Sequence, residues 1–357
     1  FVSSQVEGEF VLTLTRVART AATTAGPALG SLQMIARHEL LVPGKHALVD
    51  TPLAMVEHRL ENRIEIIRGP GSSLYGTGAV FAVVNIVTAD PKLDMYQASG
   101  TIEYGNYDLL HTEGSLNVPV SSTVALRAAF NTSVRDGYMA NGSDDEDTKS
   151  GRLKLLYQPA ETLSMVVTGE ITKSGGSGYS GIDIFIDQDS LDDPWDNSDE
   201  DAPTPRSSDA KKLTGRMDWD MGFGTLTVLP SYATNSQYAS MTMEDSLTGE
   251  TYSQTLDADG SEEGIELRMA SSGDFLFKWI VGYNYYTSEQ NELAMPETGL
   301  YQARANEQET HALFANVTYP VTDLLRLTAG VRYSKDENST LFEALMTNPM
   351  SGAIDVV

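Results

Sequence analysis

From about residue 97 onward the chain alternates apolar and polar positions with a period of two. In Leu325-Arg326-Leu327-Thr328-Ala329-Gly330-Val331-Arg332-Tyr333 the odd positions are apolar and the even ones polar or small. In Gly151-Arg152-Leu153-Lys154-Leu155-Leu156-Tyr157 the odd positions are again mainly apolar. A period of two is the signature of strands with one face in an apolar medium. Between such runs stand turn sequences such as "PVSS", "PAET", "GFG" and "SSGD". Together they predict roughly eleven antiparallel strands joined as hairpins.

The connections narrow the fold class. Short links alternate with long polar ones spanning 135–149, 175–209, 239–261 and 288–308. In an up-and-down meander alternate links share an end, so one rim carries tight turns and the other long loops. Outer-membrane barrels have that asymmetry, with short periplasmic turns and long external loops. A soluble sandwich gives the same alternation with its apolar face turned inward. Aromatic residues near the predicted strand ends (Tyr104, Tyr107, Trp219, Trp279, Tyr285, Tyr286, Tyr319, Tyr333) fit interfacial girdles. The expected fold is therefore mainly β, a transmembrane antiparallel up-and-down barrel over residues 93–357. Residues 1–92 lack the rhythm and read as a small α+β unit with short strands in "RIEIIRG" and "AVVNIV".

Charge removes one function class. With 24 Lys and Arg against 50 Asp and Glu the net charge is −26. A nucleic-acid binder works by neutralising phosphates with a basic stripe, which this composition opposes. The acidity concentrates in "DIFIDQDSLDDPWDNSDEDAPTPRSSD", where Asp187, Asp189, Asp192 and Asp193 are candidate cation ligands on what otherwise reads as a solvated loop. There is no cysteine, so disulfides and thiolate metal sites are absent. No apolar run is long enough for a membrane helix. The histidines His38, His46, His58, His111 and His311 show no H-x-x-x-H spacing. "GPGSSLYGTG" has no following lysine or helix start, so it is not read as a phosphate loop. No catalytic residue and no cofactor are assigned.

The densest motif is "ENRIEIIRGPGSSLYGTGAVFAVVNIVTADPK" at 61–92. Ile64, Ile66 and Ile67 supply one strand, with Arg63, Glu65 and Arg68 as its charged positions. Gly69-Pro70-Gly71 turns the chain, since glycine tolerates positive φ and proline fixes its own. Tyr75 and Gly76 follow, and Val83, Val84, Ile86 and Val87 supply a second buried strand. This stretch resembles the end of the plug domain of TonB-dependent outer-membrane receptors, which that family places just before its first barrel strand. "ALVD" at 47–50 and "LRLTAGVRYSKDE" resemble further family segments.

The resemblance implies a plug over 1–92 inside a 22-stranded barrel of which 93–357 supplies about half. It implies that Arg68 and Arg63 contact acidic barrel residues. The implied function is energised uptake of a scarce nutrient across the bacterial outer membrane, a ferric siderophore or similar metal complex first, cobalamin or a glycan after it. The implied partners are outer-membrane lipid, the TonB energy-coupling protein and the small-molecule ligand. The expectation is that the chain is the N-terminal portion of such a receptor. A passive porin-like or adhesin-like barrel, a non-functional receptor fragment, and a soluble all-β binding protein are the alternatives.

Overall fold

The computed structural model describes residues 2–16, 63–68, 82–178, 205–244, 251–273, 275–296, 300–322, 325–347 and 354–356. Its core is a run of eleven antiparallel strands, each hydrogen-bonded to the next in sequence. They are β4 (Gln97–Tyr104), β5 (Leu110–Pro119), β6 (Val124–Arg135), β7 (Glu146–Ala160), β8 (Leu163–Ser177) and β9 (Pro205–Asp220), followed by β10 (Gly224–Glu244), β11 (Thr251–Ser271), β12 (Lys278–Pro296), β13 (Leu300–Thr322) and β14 (Leu325–Thr347). Two further strands join beyond the meander. β1 (Val2–Arg16) pairs antiparallel with β14, and β15 (Ile354–Val356) adds to the far end of β14. β2 (Arg63–Arg68) and β3 (Ala82–Val87) form a separate hairpin. The eleven strands of the meander are those the period-two pattern predicts. The place of residues 2–16 beside β14 is not, because they precede the motif and were read with the α+β unit.

The direction of the alternation separates a membrane barrel from a soluble sandwich. On β7, Arg152 is 8% and Lys154 5% exposed, whereas Leu153 is 54% exposed. The same inversion holds on β6, where Arg127 and Asn131 are buried and Phe130 is exposed, and on β8, where Thr168 and Thr172 are buried and Val167 and Ile171 exposed. A soluble sheet would bury the leucines and solvate the cations. Here the polar face is the inner one and the apolar face meets hydrocarbon, as in outer-membrane barrels. Trp219 and Tyr319 at one end of this apolar band, and Tyr104 and Tyr333 at the other, are exposed on the outward face. Tyr286 faces inward and Tyr107 lies in the β4–β5 connection, so neither belongs to a girdle.

Strand length corrects the loop assignments. β13 and β14 have 23 residues each, and β10 and β11 have 21. A tilted membrane strand needs only about ten. The polar segments 239–261 and 288–308 are therefore largely ladder rather than loop, and their links shrink to 245–250 and 297–299. Alternating polar residues such as Asp257-Ala258-Asp259-Gly260-Ser261 pair as readily as apolar ones once the ladder is extended beyond the bilayer. Conversely, "FLF" at 275–277 precedes β12 instead of opening it, with Leu276 69% exposed. Among the described residues the predicted tight turns at "PVSS", "PAET" and "GFG" hold. In the β9–β10 turn Gly222 has φ +87, a left-handed conformation that explains its glycine, and Met221 N–H donates to Gly224 O at 2.9 Å.

Two connections at the opposite end pack together. Asp136 N–H donates to Tyr107 O at 2.8 Å, the Tyr107 and Tyr138 rings meet edge-on at 5.8 Å, and the Arg135 guanidinium sits 4.4 Å above Tyr138. Tyr107, Asp108 and Asp144, all in these links, have positive φ.

Close inter-strand packing also fixes side-chain size. A Cβ on Gly282 would lie 2.3 Å from Phe314 Cζ and 2.8 Å from the Leu267 carbonyl oxygen, and the latter, being backbone, cannot swing away. Gly169 has nothing within 4 Å of the equivalent point. Gly282→Ala is expected to destabilise the folded receptor by about 1–3 kcal/mol, and Gly169→Ala to leave it unchanged. Urea unfolding in detergent micelles reads the difference.

Candidate functional site

The chain leaves β3 at Val87 and reaches β4 at Gln97 along the inner face of the sheet. That exit segment is fastened by wall side chains at three points. Lys154, on the inward row of β7, donates from Nζ to Thr88 O at 2.9 Å and to Asp90 Oδ1 at 3.1 Å. Arg216, inward on β9, donates from Nη2 to Asp90 Oδ2 at 2.6 Å. Asn117, fully buried on β5, accepts from Lys92 N–H at 2.8 Å and donates to Lys92 O at 3.0 Å and Met95 O at 2.7 Å. Leu93 packs on Ala125, Leu156 and Val166. The period-two rule places Lys154, Arg216 and Asn117 on one face although they come from three strands.

The cations are themselves held. Arg216 Nε pairs with Asp218 at 3.1 Å, and Asp218 accepts from Thr227 at 2.8 Å. One row away Arg152 Nε donates to Glu170 Oε1 at 2.5 Å. Arg152 and Glu170 face each other across neighbouring strands and are largely buried, whereas Arg216 and Asp218 stand two apart on β9 and are more exposed. Burial alone would raise the Asp90 carboxyl pKa. The Arg216 hydrogen bond and the Lys154 and Arg216 charges outweigh it and hold the group below the ordinary carboxylate range. Between the exit segment and the inner wall lies a cavity of about 770 Å³, reached by Val87, Asp90, Lys212, Glu266 and Tyr286 among others.

The sequence-derived candidates fall largely elsewhere. Arg63, Glu65 and Arg68 lie on β2, opposite Val87, Asn85 and Ala82 of β3. The β2–β3 hairpin is the pair of strands the motif predicts, although Ile86, expected to be buried, is exposed. Gly69, Pro70, Gly71, Tyr75 and Gly76 lie outside the described residues, as do Asp187, Asp189, Asp192 and Asp193. At the contact between exit segment and wall the wall supplies the cations and the exit segment the carboxylate. Asp90, Lys154, Arg216 and Asn117 were not singled out from sequence. The available signal was "TADPK" directly after the second motif strand, together with lysine and arginine on the inward parity.

A folded-state pKa below the unfolded one means the Asp90 contribution is fully present above the unfolded carboxylate pKa. It is lost as pH falls through the depressed folded value. Amide exchange of residues 88–95 is expected to stay slow from neutrality down to about pH 4 and to accelerate only below that range. Asp90→Asn should exchange faster at neutral pH and lack the acid step.

The comparisons agree with this geometry. Residues 166–347 match the family model described as "TonB dependent receptor-like, beta-barrel". A pesticin receptor of Yersinia enterocolitica is 27% identical over 311 residues, covering 80% of this chain and 43% of the relative. The ferric yersiniabactin uptake receptor FyuA of Yersinia pestis superposes with a TM-score of 0.67 at 20% identity, over 82% of this chain and 47% of that one. The ferric-catecholate import receptor Fiu of E. coli K12 gives 0.65 at 13% identity, over 82% and 54%. The chain thus spans about half the length of these proteins. Inward cations, outward leucines and a family match over half its residues make this chain a member of the TonB-dependent receptor family of outer-membrane β-barrels.

Proposed function

We propose that this chain forms part of a receptor that takes up a scarce metal chelate across the outer membrane, driven by an inner-membrane energy-coupling protein of the TonB type. Residues 93–357 form barrel wall. Residues 1–92 other than β1, which lies in the wall beside β14, form the plug that closes the lumen and include the motif residues Arg63, Glu65, Arg68, Gly69, Pro70, Gly71, Tyr75 and Gly76. The observation that carries this reading is the exit segment. Its fastening by Lys154, Arg216 and Asn117 brings the foot of the β2–β3 hairpin to the inner wall, where Ile86 and Val87 border the cavity. A domain rooted inside a barrel obstructs diffusion, so passage needs displacement, and displacement needs work.

The relatives' names supply the cargo. They are receptors for pesticin, ferric yersiniabactin and ferric catecholates, which favours a ferric siderophore over cobalamin or a glycan. The mechanism is binding and population shift, with no covalent chemistry. Ligand binding to plug and wall together changes the plug's resting state, and the coupling protein then extracts work from that change.

The test is uptake of radiolabelled ferric chelates by cells carrying the full receptor, with and without the energy-coupling protein. Accumulation is expected only when it is present, and to fall at least tenfold on dissipating the proton gradient, an effect of about 1.4 kcal/mol or more in driving force. Equal accumulation in both strains would establish a passive pore instead.

A further inference from the structure

One edge of β14 is shared by two segments of the chain. β1 lies along it from Val2, opposite Ser339, to Arg16, opposite Leu325. β15 lies on it too, with Ile354 opposite Thr347 and Val356 opposite Leu345. Both run antiparallel to β14, and β13 fills the other side of that strand. The two segments therefore draw on one row of backbone N–H and C=O groups. β15 points toward β1. Each residue added to it in register would pair one position farther along β14, and such a strand would soon reach Ser339 and the partners that β1 holds. Only one of the two can have them.

β1 fits the edge it holds. Its register puts Phe10, Leu12 and Leu14 opposite Val331, Ala329 and Leu327, on the parity where Val331 and Tyr333 are exposed outward. Gln5, Glu7 and Glu9 fall on the other parity, opposite Asp336, Ser334 and Arg332, where Ser334 is buried. A slip by one residue would put carboxylates on the lipid side, so the alternation fixes the register. The need for a cover is physical. A bare strand edge leaves peptide groups unbonded in hydrocarbon, and outside it recruits other chains.

We infer that this edge of β14 is a strand-exchange site: β1 covers it while the wall is incomplete, and the strand that begins at β15 replaces β1. The three pairs of β15 form a foothold beyond the end of β1. From there the incoming strand gains one residue pair for each pair that β1 gives up. The peptide groups of β14 pass from one partner to the next and are not stranded in the bilayer on the way. The chain spans about half the length of its relatives, and the incoming strand belongs to the other half. The exchange depends neither on the cargo nor on energy coupling.

The experiment is disulfide trapping in the full receptor, made in cells without periplasmic thiol oxidation. Residues 1–357 contain no cysteine. Phe10→Cys with Val331→Cys reports the β1–β14 pairing, because directly opposite residues lie about 4.5–5.5 Å apart at Cα, within bridging range. Leu14→Cys with Leu327→Cys is a second in-register pair, and Phe10→Cys with Leu327→Cys is off register on the same parity. A membrane-permeant oxidant added directly after a labelling pulse is expected to trap both in-register pairs and not the third. Added after a chase, it is expected to trap none. Trapping at neither time, in variants made at normal levels in the outer membrane, would show that β1 does not cover the edge. In-register trapping that persists after the chase would make β1 a permanent wall strand. A disulfide between two copies would give the edge to a second chain. Each of these three results overturns the exchange and leaves the uptake reading standing.

Discussion

A peptide group in hydrocarbon has no water to bond, so each N–H and C=O must find a partner on a neighbouring strand. Nearly everything else in this structure follows from that constraint. It forces consecutive strands into one antiparallel ladder with register kept over as many as twenty-one residue pairs. A kept register means that parity decides the environment of every side chain. Leu153 meets lipid and Lys154, the next residue, meets the lumen, for no reason beyond their adjacency on a pleated chain.

The exit segment shows how that rule produces a site. Cations at inward positions of two strands and an amide on a third converge because inward positions of a curved sheet converge. None of the three is close to another in sequence. Asp90 completes the set from a stretch with no ladder of its own. Hydrogen bonds from Asn117 to backbone then hold a non-regular segment that would otherwise leave carbonyls unpaired against the wall.

The eleven strands of the meander were legible because apolar alternation, tight turns and glycines all carry local signals. The ends of the long strands were not. Asp257 to Ser261, or Glu289 to Asn291, read as loop by composition, and only pairing with an equally polar neighbour makes them strand. The β2–β3 hairpin was visible in its isoleucines and valines. The partners of Asp90 were invisible, since Lys154 lies 64 and Arg216 126 positions away and nothing local marks which inward cation meets which carboxylate. The place of residues 2–16 was hidden for the same reason, because edge pairing depends on which strand lies free rather than on the sequence that pairs.

The excess length of β13 and β14 changes how a solute arrives. A strand of 23 residues rises about 3.4 Å per residue, and at a tilt near 40° the part beyond a ten-residue span stands roughly 30 Å clear of the bilayer. A molecule approaching from that side meets this wall before it meets the membrane. Beside a wall of that height diffusion is restricted on one side, and a molecule that leaves the wall once returns to it more often than it would to a flush surface. Residence there is then set by the height of the strands as well as by the strength of any single contact.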